Sequence, residues 1–129
     1  MNQKQEIRAM VQRYVRAIET QDKADFCGLW ADKPDCVLIS IVNQYVGVER
    51  IYQDFLIGWI QAAYSRIRLI TETMEVHEVS DALATVVFRY HTECIRRENG
   101  APYGIQGLET QVYIKQDGDW KLLHVHYSK

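Results

Sequence analysis

The stretch from Ile105 to Lys129, IQGLETQVYIKQDGDWKLLHVHYSK, constrains the fold more than any other. Two runs rich in β-branched and aromatic residues alternate on either side of Gln116-Asp117-Gly118-Asp119, the pattern of a hairpin. The second run carries Trp120, His124 and His126 and then stops, so the closing strand is expected in the middle of a sheet. Upstream, Glu98-Asn99-Gly100-Ala101 is a stronger hairpin signal, because Asn-Gly accepts positive φ at little cost. Leu83 to Arg97 before it and Tyr103 to Lys115 after it read as long strands. Arg66 to Val79 precedes them, alternating best through Met74, Val76 and Val79, with Asp81 as punctuation.

The first half has a different period. Ile7, Met10, Val11, Tyr14, Val15 and Ile18 recur at three and four, which predicts an amphipathic helix from about Gln3 to Thr20. Asp22 is a reasonable cap for a short helix from Lys23 to Trp30, with Ala24, Cys27 and Trp30 facing inward. Lys33-Pro34-Asp35 breaks it. Cys36 to Val42 is an apolar β run, Tyr45-Val46 adds a short strand, and Gly47 opens a third helix. Val48, Ile51, Tyr52, Phe55 and Trp59 supply the buried stripe of that helix, continued by Ala62 and Ala63. Helices segregated from a run of hairpin strands imply an α+β domain. Strands this long must curl, and a curled sheet over a long helix leaves a cone whose mouth suits a pocket.

At 129 residues the chain reads as one domain, residues 1–129, large enough to hold a core without staples. A net charge of −2 and scattered basic residues give no footprint for nucleic acid or an anionic membrane. No apolar run approaches the roughly 20 residues of a membrane span. The polar start MNQKQEIRAM already reads as helix, so no secretory signal is expected. Cys27, Cys36 and Cys94 share no metal or redox spacing and read as reduced residues of a cytoplasmic protein.

The chain resembles the nuclear transport factor 2 (NTF2)-like superfamily and its SnoaL-like group. In motif it is most similar to the association domain of calcium/calmodulin-dependent protein kinase II. The residues that carry this are Gly47 to Trp59, Asn99-Gly100-Ala101-Pro102, Gln106 to Val112, Asp117-Gly118-Asp119-Trp120 and His124-Val125-His126-Tyr127-Ser128. They match Glu-Thr-x-Val, Asp-Gly-x-Trp and His-x-His-x-Ser. The resemblance implies a cone-shaped, cystatin-like fold, with a curved antiparallel sheet around the long N-terminal helix. Such a fold hosts isomerases, cyclases, dehydratases and oligomerisation modules, so fold alone does not assign function. The resemblance also implies a pocket whose arginines and histidine fall here on Gln111, Tyr127 and Ile51. Arg89, or His91 if the strand slips, matches a further arginine.

The Asp117-Gly118 turn allows two registers. A two-residue primed turn sets His124 opposite Gln111; a three-residue loop with Gly118 in a left-handed bulge sets Leu123 opposite Gln111. One residue of slip exchanges the faces. Only the bulged register puts Gln111 and Tyr127 on one face, as the resemblance requires. The pocket face is then Glu109, Gln111, Tyr113, Leu123, Val125 and Tyr127. The outer face carries Thr110, Val112, Ile114, Trp120, Leu122, His124 and His126, apolar enough to predict a homodimer there.

Candidate chemistry follows from these faces. His124-x-His126 lacks a third ligand at any motif spacing, and neither a metal nor a cofactor is expected. A general base needs a carboxylate or histidine in apolar surroundings, which points to Glu109 and His91, with Glu93 and Asp54 as further candidates. Tyr14, Trp30, Ile51, Phe55, Trp59, Arg89, Glu93, Gln111 and Tyr127 are the expected pocket lining. No histidine is placed to activate Cys94. The leading expectation is a homodimer whose conical pocket binds a small, mostly apolar molecule, or an acid that contacts Arg89. The alternatives are an isomerase, cyclase or dehydratase using Glu109 or His91, and an assembly module like the kinase association domain.

Overall fold

The computed structural model describes residues 1–32 and 35–129. The helix break expected at Lys33-Pro34 lies outside the described residues. Helix α1 (Gln3–Thr20) has the bounds that its spacing predicts and starts on a capping box. The Gln5 N–H donates to the Asn2 side chain, and the Asn2 N–H donates to the Gln5 side chain, each at 2.9 Å. Two donors that a helix start leaves orphaned are thereby satisfied. Its predicted apolar stripe is buried throughout, with Ala17 added.

Helix α2 (Lys23–Cys27) is capped by Asp22, whose side chain accepts from the Asp25 N–H at 2.9 Å. It is shorter than predicted, and its inward residue is Phe26, while Ala24 is exposed and Cys27 half-buried. Trp30 has left the helix and bridges to Leu122 instead, with the Leu122 N–H donating to Leu29 O at 2.8 Å. Pairing with the sheet outcompetes another helical turn.

Strands β1 (Val37–Ile39) and β2 (Gln44–Val46) form an antiparallel pair. β1 ends earlier than the apolar run because the Ser40 hydroxyl accepts from the N–H groups of Val42 and Asn43, forming a turn. Helix α3 (Val48–Arg50) runs straight into a π-helical segment, Ile51–Gln61. An i→i+5 ladder advances less per residue than an α-helix, so the buried positions are Ile51, Phe55, Leu56 and Ile60, recurring at four and five. Leu56 and Ile60 replace Tyr52, Trp59 and Ala62 of the predicted stripe, which are half-buried or exposed.

The remaining strands are β3 (Tyr64–Ser80), β4 (Leu83–Arg96), β5 (Pro102–Tyr103), β6 (Gln106–Gln116) and β7 (Asp119–Tyr127). They build one sheet in the order β2-β1-β7-β6-β4-β3, with β5 on β4, so the closing strand is interior as expected. The architecture is α+β, but the sheet is mixed rather than wholly antiparallel, because β1 joins β7 in parallel. β3 and β4 are 17 and 14 residues long and shift register three times. Bulges bend the strand that carries them, which curls the sheet toward α1. The expected strand from Tyr103 to Lys115 breaks at Gly104, where the chain crosses so close to β4 that a Cβ would lie 2.3 Å from Thr92 O.

The final hairpin departs from the expected register in an informative way. Asp117 (φ 52°) and Gly118 (φ 85°) form a two-residue primed turn that pairs Gln116 with Asp119 and Tyr113 with Leu122. The extra residue sits further along, at Leu123, after which Val112 faces His124 and Gln111 faces Val125. Beyond the bulge the parity is the expected one: Glu109, Gln111, Val125 and Tyr127 are buried. Before it the parity inverts, so Trp120 and Leu122 are core residues and not part of the outer face, while Leu123 is only half-buried. The Trp120 indole N–H donates to Glu6 of α1 at 3.3 Å.

A candidate site on a buried glutamate

The concave face of β4 is set by alternation. Val86, Phe88, Tyr90 and Cys94 are buried, which forces Arg89, His91 and Glu93 to the opposite face. Three assignments are corrected by this parity. Arg89 is exposed on the outside of the sheet and pairs with Leu108 across the ladder. Glu93 meets Arg68 at 3.3 Å, also outside. His91 lies 3.3 Å from Glu72 and 3.6 Å from Glu93, so it is no base for the interior. Asp54 is exposed and paired with Arg50 at 3.3 Å.

Inside the cone lies a cavity of about 270 Å³. Of the expected lining, Tyr14, Phe55, Trp59 and Tyr127 reach it, as does Glu109. Three others are buried without lining it. Ile51 is fully buried in the core, Trp30 lies with Phe26 (ring centroids 6.1 Å apart), and Gln111 is fully buried and donates to Glu109. The lining not foreseen comes from the two long strands: Tyr64, Ile67 and Leu69 of β3, and Tyr90, Thr92, Cys94 and Arg96 of β4, joined by Tyr103. Extending the Val86-Phe88-Tyr90 alternation by three steps identifies the β4 set.

Glu109 is the polar group at the heart of this wall. It is 3% exposed, and the Gln111 amide donates to its Oε2 at 2.7 Å. Gln111 is oriented in turn by the Tyr113 hydroxyl, which donates to its Oε1 at 2.5 Å. Alternation along β6 stacks the three side chains on one face, a relay that leaves the other carboxyl oxygen of Glu109 without a protein partner among the described residues. Burial pushes the Glu109 carboxyl from 4.5 up to about 8, against the downward pull of the Gln111 hydrogen bond. Burial also raises Tyr14, Tyr90 and Tyr127, with the nearby Glu109 adding to each. The Tyr90 hydroxyl donates to Ser128 O at 2.6 Å, tying the last residues of the chain to the wall. At neutral pH the carboxyl is largely protonated, so it can donate to a carbonyl or accept from a hydroxyl.

Cys94 lines the cavity, but burial raises its thiol, which disfavours the nucleophilic thiolate. His124 and His126 stand on the outer face of β7, where burial first and His126 second lower His124. Among the described residues no helix is long and apolar enough to cross a membrane.

The calcium/calmodulin dependent protein kinase II association domain family matches the chain over residues 3–129. An NTF2-like superfamily protein from Salmonella enterica superposes with a TM-score of 0.91 at 28% identity, over 97% of this chain and 89% of that one. A hexachlorocyclohexane dehydrochlorinase, LinA-type3 from Novosphingobium barchaimii, gives 0.84 at 14% identity over 96% and 84%. A protein with a cystatin-like fold from Caulobacter vibrioides gives 0.80 at 17% over 97% and 87%. The last two similarities speak to the fold alone. No curated protein matches the sequence.

Proposed function

The chain belongs to the calcium/calmodulin dependent protein kinase II association domain family, and from that premise we propose that it binds a small, mostly apolar molecule in the conical cavity, with Glu109 as the anchoring polar group. The observation that carries this reading is the Glu109 carboxyl, buried in an aromatic wall, held on one oxygen and free on the other. That free oxygen opens onto the cavity, where a polar group of a ligand can answer it. The volume lies near the lower edge of the roughly 300–1,000 Å³ common for ligand pockets, so the ligand is small. A panel of neutral aryl ketones and aryl alcohols, followed by melting temperature, tests this. A ligand-dependent rise that Glu109→Gln weakens without loss of the fold is expected; no rise across the panel overturns it.

A second reading rests on the position of the Glu109 proton. A carboxyl near 8 suits general acid–base work at neutral pH, and among the structural neighbours is a dehydrochlorinase. An enzyme of the isomerase, cyclase or dehydratase type would lose turnover but not folding on Glu109→Gln, and its rate would inflect near pH 8. In either reading the molecule is a homodimer through the outer face of β6 and β7, where Val112 pairs with His124, Thr110 with His126 and Ile114 with Lys121.

A further inference from the structure

The lining residues of β3 and β4 are ladder partners: Leu69 with Thr92, Ile67 with Cys94, and Tyr64 with Arg96. The cavity is therefore a trough laid along β4. From Tyr90 to Arg96 the strand advances six residues, roughly 20 Å at about 3.3 Å each. Glu109 and Tyr90 mark its deep end, while Arg96, half-exposed at the last position of β4, marks the open end.

Arg96 is the only cation among the described residues of this lining. Its neighbours of like charge are engaged: Arg97 donates to Gln61 O and Tyr64 O at 2.9 and 3.0 Å, and Arg68 pairs with Glu93. Arg96 instead lies 3.9 Å over the Tyr103 ring, which stacks on Tyr64 at 6.0 Å. Its guanidinium has no hydrogen-bond or carboxylate partner among the described residues. Stacking uses the face of the guanidinium and leaves its N–H edge for a planar, two-oxygen anion.

We propose that the cavity selects an elongated molecule with a single anionic end, that Arg96 holds this end, and that the apolar body lies along β4 toward Glu109. This rests on the ligand-binding reading above and specifies the ligand class. The two ends enforce direction. A carboxylate at Arg96 gains a charge-assisted pair of hydrogen bonds, whereas one at Glu109 faces a second carboxyl with no cation beside it. Arg89, the cation that sequence favours for an acid, stands outside the sheet.

A matched pair of probes tests it: 6-phenylhexanoate and 6-phenylhexan-1-ol, titrated calorimetrically at neutral pH into the wild type, Arg96→Gln and Arg96→Lys. The acid should bind the wild type about tenfold or more tighter than the alcohol, the scale of one charge-assisted contact. Arg96→Gln should erase that preference and leave the alcohol unchanged, with Arg96→Lys between. The acid's advantage in the wild type should also shrink with added salt. Equal affinity of the two probes, or an acid preference that survives both Arg96→Gln and high salt, overturns the assignment of Arg96 while the cavity reading stands. Binding of neither probe removes both.

Discussion

Gln111 donates its amide to Glu109 at 2.7 Å from the same face of one strand, so a fully buried carboxyl is steadied by a neutral partner and not by a cation. That choice keeps the proton on the carboxyl at neutral pH and makes its ionisation a stability variable.

The folded carboxyl titrates at about 8, above its ordinary 4.5. The folded state therefore binds the proton more tightly than the unfolded one. Its contribution is complete below about pH 4.5 and is lost as pH rises toward 8. Between these limits the wild type should lose on the order of 1 kcal/mol per pH unit. Glu109→Gln should flatten this slope in urea denaturation series at several pH values; parallel slopes would refute the burial argument.

Replacing the neutral partner should be worse at high pH than at low. Gln111→Leu removes the donor on Glu109 Oε2 and the acceptor of the Tyr113 hydroxyl. A loss of about 2 kcal/mol is expected near pH 5, since two buried polar groups lose partners. The loss should hold steady up to about pH 8, while the folded carboxyl stays protonated in both proteins, and grow above it, where only the wild-type carboxylate keeps the Gln111 donor. Denaturation midpoints on either side of that pH measure it.

Gly107 faces the closing backbone so closely that a Cβ would lie 2.1 Å from Ser128 O. Gly107→Ala must push away the segment that accepts the Tyr90 hydroxyl, and a loss of about 3 kcal/mol is expected. Gly100 has φ +72° but open space around it, so Gly100→Ala should cost only about 1 kcal/mol, the price of a left-handed alanine. Comparing the two melting temperatures separates crowding from backbone strain.

The homodimer is tested at Ile114, which lies on the outer face half-buried. Ile114→Glu should convert a dimeric wild type to a folded monomer at micromolar concentration, read by light scattering. A monomeric wild type would dispose of the interface.

Helix α1 was legible because its apolar stripe recurs at three and four from Ile7 to Ile18. The long strands and the α+β class were legible from the change of period. Glu109, Tyr14, Phe55, Trp59 and Tyr127 emerge from sequence as cavity residues, but Arg89, His91 and Glu93 do not belong with them. Their chemistry suits a site, and their parity against Phe88 and Tyr90 excludes it. The i→i+5 ladder of Ile51–Gln61 has no signature in an apolar stretch that fits an α-helix about as well. The bulge at Leu123 is equally silent, since Asp117-Gly118 accounts for the turn without it.

That bulge divides β7 into two independently addressed halves. Trp120 and Leu122 seal the packing beneath α1 and α2, while Val125 and Tyr127 face the interior beyond the extra residue. Without the bulge, plain alternation from Trp120 and Leu122 would turn His124 and His126 inward in place of Val125 and Tyr127. Keeping it lets substitutions in the distal half reshape the chamber while the proximal half holds the scaffold, a modularity written into a single strand.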